Sequence, residues 1–160
     1  MSKIKYDQLT GIWNKLGQFN FKDNMKIFDP GEHTHHFYKF FDKSPSGRKR
    51  MYIGQIKSET EKYKQGIGIR IYFDGEFEEG FWHQDKQHGN GRCIFRKGGW
   101  YQGGFDHDDK HGYGEYTFLN GEQYRGYYAN DNRHGEGSFI NDDGEISKGR
   151  FEDGEMKDEY

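Results

Sequence analysis

A step of 23 residues governs the second half of this chain. Four Gly-x-Gly pairs keep it: Gly66/Gly68, Gly89/Gly91, Gly112/Gly114 and Gly135/Gly137. Two further glycine series, Gly75/Gly98/Gly121/Gly144 and Gly80/Gly103/Gly126/Gly149, run in the same register. So does an aromatic series, Trp82/Phe105/Tyr128/Phe151. Linked columns at one period mark a repeat array in which each unit rests on its neighbours. Such arrays hold or bind other molecules more often than they transform them.

Composition sharpens the point. Leu, Ile, Val and Phe number 28 of 160 residues, few enough to suggest disorder, but Phe, Tyr and Trp total 29. Each aromatic can bury about 150–250 Å², so a core of rings packed against glycines is expected. Charge divides the chain. Residues 1–50 carry 10 Lys/Arg against 5 Asp/Glu, and residues 51–160 carry 14 against 22. A basic arm on an acidic body argues against nucleic acid as the body's target, because phosphate neutralisation drives that affinity. Cys93 is the single cysteine, which leaves no disulfide framework or Cys-based zinc site. The opening Met1–Asp7 has no apolar stretch of the signal-peptide kind, and no run approaches a membrane span. A cytoplasmic setting without a transmembrane segment is the expectation.

Each period reads as two extended runs and two turns. Asn120-Gly121 is a hairpin signal, with counterparts at Asp74-Gly75, Lys97-Gly98 and Asp143-Gly144. The opposite turns are placed at Asp85–Gly89, Asp108–Gly112 and Asp131–Gly135. The result is an antiparallel meander of about nine strands over 51–153. Register follows from loop length, since a one-residue slip inverts the faces. A two-residue loop sets Tyr128 opposite Tyr113. A three-residue loop with Gly121 in a bulge sets Gly112 opposite Tyr128, Gly114 opposite Gly126 and Tyr116 opposite Tyr124. The second is preferred, because it puts an aromatic opposite a glycine in every unit. It also pairs Arg70 with Glu78 and Cys93 with Tyr101. Gly54 precedes Gly66 by 12 residues, so three extra residues are expected within Lys57–Gln65. Ile67, Ile69 and Ile71 form an apolar strip on the otherwise polar face, a surface for an arm to dock on.

The first 50 residues show no repeat. Leu9, Ile12, Trp13 and Leu16 have helical spacing, so a short amphipathic helix is predicted over 6–16. Lys43–Arg50 reads as a basic linker and residues 154–160 as an acidic tail. The arm is expected to cover the isoleucine strip or to reach a partner.

The unit resembles the MORN repeat (membrane occupation and recognition nexus). It stands here as Gly98-Gly-Trp-Tyr101-Gln-Gly103-Gly-Phe105 and as Gly121-Glu-Gln-Tyr124-Arg-Gly126-Tyr-Tyr128, running into Gly135-Glu-Gly137. Glu78 and Ser147 depart from its tyrosine, and only Trp82 keeps its tryptophan. The resemblance implies an all-β, elongated single-layer sheet of stacked hairpins with an aromatic-lined concave surface. It also implies catalysis only in separate domains, none of which is recognisable here. Family members include junctophilins, plant phosphatidylinositol-phosphate kinases and radial-spoke proteins of cilia.

Candidate chemistry is sparse. His88, His111 and His134 recur, but equivalent sites two strands apart lie about 9.5 Å from each other. That is too far to share an ion held at about 2 Å. Asp106-x-Asp108-x-Lys110-x-Gly112 grazes a calcium loop but has Lys at a ligand position and Thr117 where the closing Glu belongs. His33, His35 and His36 read as a polar loop. No cofactor or metal is expected, and no catalytic grouping assembles. The candidate contact surface is the aromatic face: Trp82, Tyr101, Phe105, Tyr116, Tyr124, Tyr128, Phe139 and Phe151. The expected function is a non-catalytic scaffold docking proteins in a cytoskeletal assembly, with a ciliary axoneme as its setting. The alternatives are a peripheral phosphoinositide-binding module, drawing on Arg48, Lys49 and Arg50, and a regulatory subunit of a separate enzyme.

Overall fold

Hairpin follows hairpin without a crossover. In a computed structural model that describes residues 38–58 and 60–160, eleven antiparallel strands form one open sheet in sequence order. They are β1 (Tyr38–Lys43), β2 (Lys49–Ile56), β3 (Lys64–Tyr72), β4 (Glu76–His83), β5 (Lys86–Ile94), β6 (Trp100–Asp106), β7 (Asp109–Thr117), β8 (Gln123–Ala129), β9 (Asn132–Ile140), β10 (Ile146–Glu152) and β11 (Glu155–Glu159). The predicted stretch 6–16 and the His33/His35/His36 cluster lie outside the described residues. The sheet outruns 51–153 at both ends. Lys43–Arg50 is the connection of a hairpin, closed by the Gly47 N–H on the Ser44 carbonyl at 2.8 Å, and the acidic tail supplies β11. The three extra residues fall in the Lys57–Tyr63 loop between β2 and β3.

The preferred register is the observed one. Gly66 stands opposite Trp82, Gly89 opposite Phe105, Gly112 opposite Tyr128 and Gly135 opposite Phe151. Gly75, Gly98, Gly121 and Gly144 all take positive φ, as a bulged three-residue hairpin loop requires.

The reason for the other glycines differs from expectation. Gly66, Gly89, Gly112 and Gly135 have φ between +68° and +88°, and a Cβ on Gly112 would meet nothing within 4 Å. Backbone conformation, not an overlying ring, selects glycine there. Tyrosine rings select it at Gly54, Gly68, Gly103, Gly114, Gly126 and Gly137. Gly54, Gly68, Gly80, Gly91, Gly103, Gly114, Gly126, Gly137 and Gly149 stand opposite one another in turn, a row of bare backbone across nine strands. Tyr52, Tyr101 and Tyr124 lie flat on this row, so that a Cβ on Gly114 would fall 2.5 Å from a Tyr101 ring carbon. Each phenol donates to the carbonyl three residues on: Gln55 (2.9 Å), Gly104 (2.9 Å) and Tyr127 (3.1 Å). Those carbonyls belong to β-bulges, where the ladder skips a residue and leaves an acceptor open. Burial pushes the Tyr124 phenol up to about 12, so it stays a donor at neutral pH.

The remaining turns lie one step earlier than expected. Gln84-Asp85, His107-Asp108 and Asn130-Asp131 have both residues at positive φ, the two-residue hairpin geometry. His88, His111 and His134 therefore sit within strands, not turns. The aspartates also lock successive hairpins together. The Asp85, Asp108 and Asp131 carboxylates each accept, at 2.9 Å, the backbone N–H of the residue 21 places back: Lys64, Gln87 and Lys110. Their own N–H groups return bonds to the same residues' carbonyls.

Asp131 is held below the ordinary carboxylate range, since hydrogen bonds from Lys110 outweigh the upward push of its partial burial. Stability from this lowered value is present above the unfolded pKa and is lost as pH falls through the folded one. Asp131→Asn is expected to flatten the acid limb of a stability–pH profile. Asp131→Ala is expected to cost about 1 kcal/mol in urea unfolding.

Candidate docking site

Strand alternation sends Tyr52, Arg70, Trp82, Cys93, Tyr101, Tyr124 and Phe151 to one face, the inner face. Two cores form there. One joins Cys93, Tyr101, Phe105, Tyr124, Tyr128 and Phe151, with ring centroids 4.9–5.3 Å apart at near-perpendicular angles. The other joins Tyr52, Ile56 and Trp82, with Tyr38 and Phe40 of the first hairpin packed against it. Between them lies a buried ion pair, Arg70 with Glu78. The Arg70 guanidinium also lies 4.5 Å from the Trp82 ring centroid and 3.5 Å from Asp108.

Six of the eight aromatic candidates are thus core. Trp82, Tyr101, Phe105, Tyr124, Tyr128 and Phe151 are buried. Neighbouring rings and a column of cations cover them. Lys64 sits 5.4 Å from the Tyr52 ring, Lys110 5.9 Å from Tyr101 and Arg133 5.2 Å from Phe151. Tyr116 and Phe139 remain half-buried, joined by two residues that the sequence reading left out, Phe95 and Phe118. Phe95 stacks on Tyr116 at 5.4 Å, Tyr116 meets Phe118 at 4.5 Å, and Phe118 approaches Phe139 at 6.2 Å. These four rings form a continuous strip along the loop end of β5–β9, with Leu119 73% exposed beside it. A signal was present: Phe95 and Phe118 occupy one column of the 23-residue period. They fall at loop edges, where alternation gives no face.

Ile67, Ile69 and Ile71 lie half-buried on the outer face. Also on that side, His88, Asp106 and His107 bring one ligand atom each within 4.8 Å of one another. The Asp106 carboxylate lies 3.1 Å from His88 Nδ1 and bonds His107 Nδ1 at 2.5 Å. One period on, Asp106 and His107 become Ala129 and Asn130, so the repeat itself does not require the cluster.

Arg48 and Arg50 are engaged within the sheet. Arg48 bonds Asp74 at 2.7 Å and Glu76 at 3.1 Å, and Arg50 bonds Asp42 at 2.7 Å.

The model of the MORN repeat matches residues 79–100, 101–123 and 124–146, three consecutive copies. Residues 79–146 are MORN repeats. No curated protein matches the chain. MORN repeats are non-catalytic modules that bind proteins or membranes. Among the described residues, no helix is long and apolar enough to cross a membrane.

Proposed function

We propose that this MORN protein is a non-catalytic scaffold that docks other proteins in a cytoskeletal assembly, with a ciliary axoneme as its setting. The strip Phe95–Tyr116–Phe118–Phe139 carries the reading. Rings left half-covered along one edge of a closed core offer area at little entropic cost, the usual anchor of a protein interface. The cytoskeletal setting rests on the family resemblance of the repeat alone.

Affinity capture from ciliated cells is expected to recover axonemal or other cytoskeletal proteins. Tyr116→Ser/Phe118→Ser is expected to lose them while keeping the wild-type circular dichroism spectrum. Capture that lacks cytoskeletal proteins, or that the double variant leaves unchanged, overturns the proposal.

The membrane reading is weaker here. Arg48 and Arg50, two of the three cations it draws on, are paired with carboxylates, and residues 51–160 are acidic. Vesicles with and without anionic lipid are expected to float equal, small fractions of the protein. Flotation dependent on anionic lipid would restore that reading.

A further inference from the structure

The outer face of the sheet changes character along its length. Over β6–β10 it carries Gln102, Glu115, Arg125, Lys148 and Arg150 among Trp100, Tyr113, Tyr127, Ile140 and Ile146. Over β3–β5 it carries Ile67, Ile69, Ile71, Phe77, Phe81 and Ile94, with the Glu79–Arg92 ion pair set among them. The repeat supplies an internal control for what covers this second region. Phe81 and Tyr127 occupy one column of the 23-residue period. Each stands in the fourth or eighth strand, flanked on both sides and paired across to the preceding strand, Phe81 with Ile67 and Tyr127 with Tyr113. Tyr127 is 52% exposed and Tyr113 54%, but Phe81 is 3% exposed.

Strand neighbours alone therefore leave a ring on this face half open. Ile94, Glu79 and Arg92 are likewise at 0–2% exposure. Burial of this depth on a sheet face requires a second layer. Every strand among the described residues lies in the one sheet, and none of them supplies that layer.

We propose that residues 1–37 of this chain cover the outer face of β3–β5, with Leu9, Ile12, Trp13 and Leu16 as the apolar contacts. Length and position fit. The segment joins the sheet at Tyr38, opposite Gly54 of β2, beside the patch. From β2 to β5 is three strand spacings, about 14 Å. Eleven residues at helical rise measure about 16 Å. The four apolar positions share one side at that periodicity, and the patch is where apolar side chains of the outer face, Phe81 and Ile94, are buried. The Glu79–Arg92 pair lies beneath this layer.

The full-length chain tests this by radical or carbene footprinting read by mass spectrometry. Phe81 and Ile94 are expected to label several-fold less than Tyr113 and Tyr127. In Leu9→Asp/Trp13→Asp, their labelling is expected to rise towards that of Tyr127, while Tyr101 and Tyr124 stay protected as markers of the intact sheet. If that variant fails to fold, a photo-crosslinking benzoylphenylalanine in place of Trp13 in the otherwise wild-type chain is expected to give intramolecular adducts on residues 67–94. Phe81 labelling equal to that of Tyr127 in the wild type overturns the proposal. So does protection that persists in a folded double variant, and so do crosslinks to a second copy or to the inner face.

Discussion

Replacing Gly114 by alanine is expected to lower the thermal midpoint far more than the same replacement two residues earlier, at Gly112. The two glycines belong to one Gly-x-Gly pair but serve unlike needs. Gly112 has φ +72° and open space around a would-be Cβ. Alanine there adopts a left-handed conformation at roughly 1–2 kcal/mol, offset by about 0.4–1 kcal/mol from the reduced freedom of the unfolded chain. Gly112→Asn is expected to cost less still, since asparagine tolerates that region. Gly114 has no such φ, but a Cβ there lies 2.5–2.6 Å from ring carbons of Tyr101. That ring is fully buried, and its hydroxyl is fixed on the Gly104 carbonyl, so it has nowhere to move. Overpacking of this kind costs about 3 kcal/mol, or roughly 6–12 °C in a domain of this size. The cause is checked by a double-mutant cycle with Tyr101→Leu, which is expected to absorb most of the Gly114→Ala penalty. Equal losses at Gly112 and Gly114 would show that the tyrosine does not set the constraint.

Period and register were legible because they rest on local rules. Three-residue loops with glycine at positive φ fix which residues stand opposite, and each expected pair from Gly66–Trp82 to Gly135–Phe151 was recovered. The choice between ring and backbone as the reason for a given glycine was not legible. It depends on how far a tyrosine reaches along the sheet, which only coordinates display. The Asp85/Asp108/Asp131 column looked like ordinary turn chemistry for a similar reason. Its partners sit 21 residues away, beyond any local pattern. Reading the aromatic face as the contact surface rested on a single sheet having no second layer to cover its rings. Alternation says which side a ring is on. The flat-lying tyrosines and the Lys64, Lys110 and Arg133 side chains decide what remains uncovered, and that is the strip at Tyr116 and Phe139.

Removing the Arg70 side chain is expected to be the most damaging single change on the inner face. In the repeat, position 70 corresponds to Cys93, Tyr116 and Phe139, and position 78 to Tyr101 and Tyr124. Arg70 and Glu78 thus put an ion pair where the next hairpins put Cys93–Tyr101 and Tyr116–Tyr124. Burial pushes the Glu78 carboxyl above the ordinary range, with Arg70 drawing it back. Arg70→Met leaves that carboxylate buried without its cation, a loss of about 3–5 kcal/mol at neutral pH. The sign of the pH dependence follows from the raised pKa. A group that holds its proton more tightly when folded loses stability as pH rises through the folded value. The deficit of Arg70→Met should therefore shrink on acidification. Arg70→Tyr with Glu78→Tyr copies the Tyr116–Tyr124 pair of β7–β8. It is expected to recover most of the loss, without the acid dependence, because well-packed residues commonly replace buried ion pairs at no cost. The pair then represents one way to fill a place the repeat ordinarily fills with rings. If Arg70→Met matches wild type in urea unfolding at pH 7, the pair does not bridge the two cores, and they must be joined through the glycine row alone.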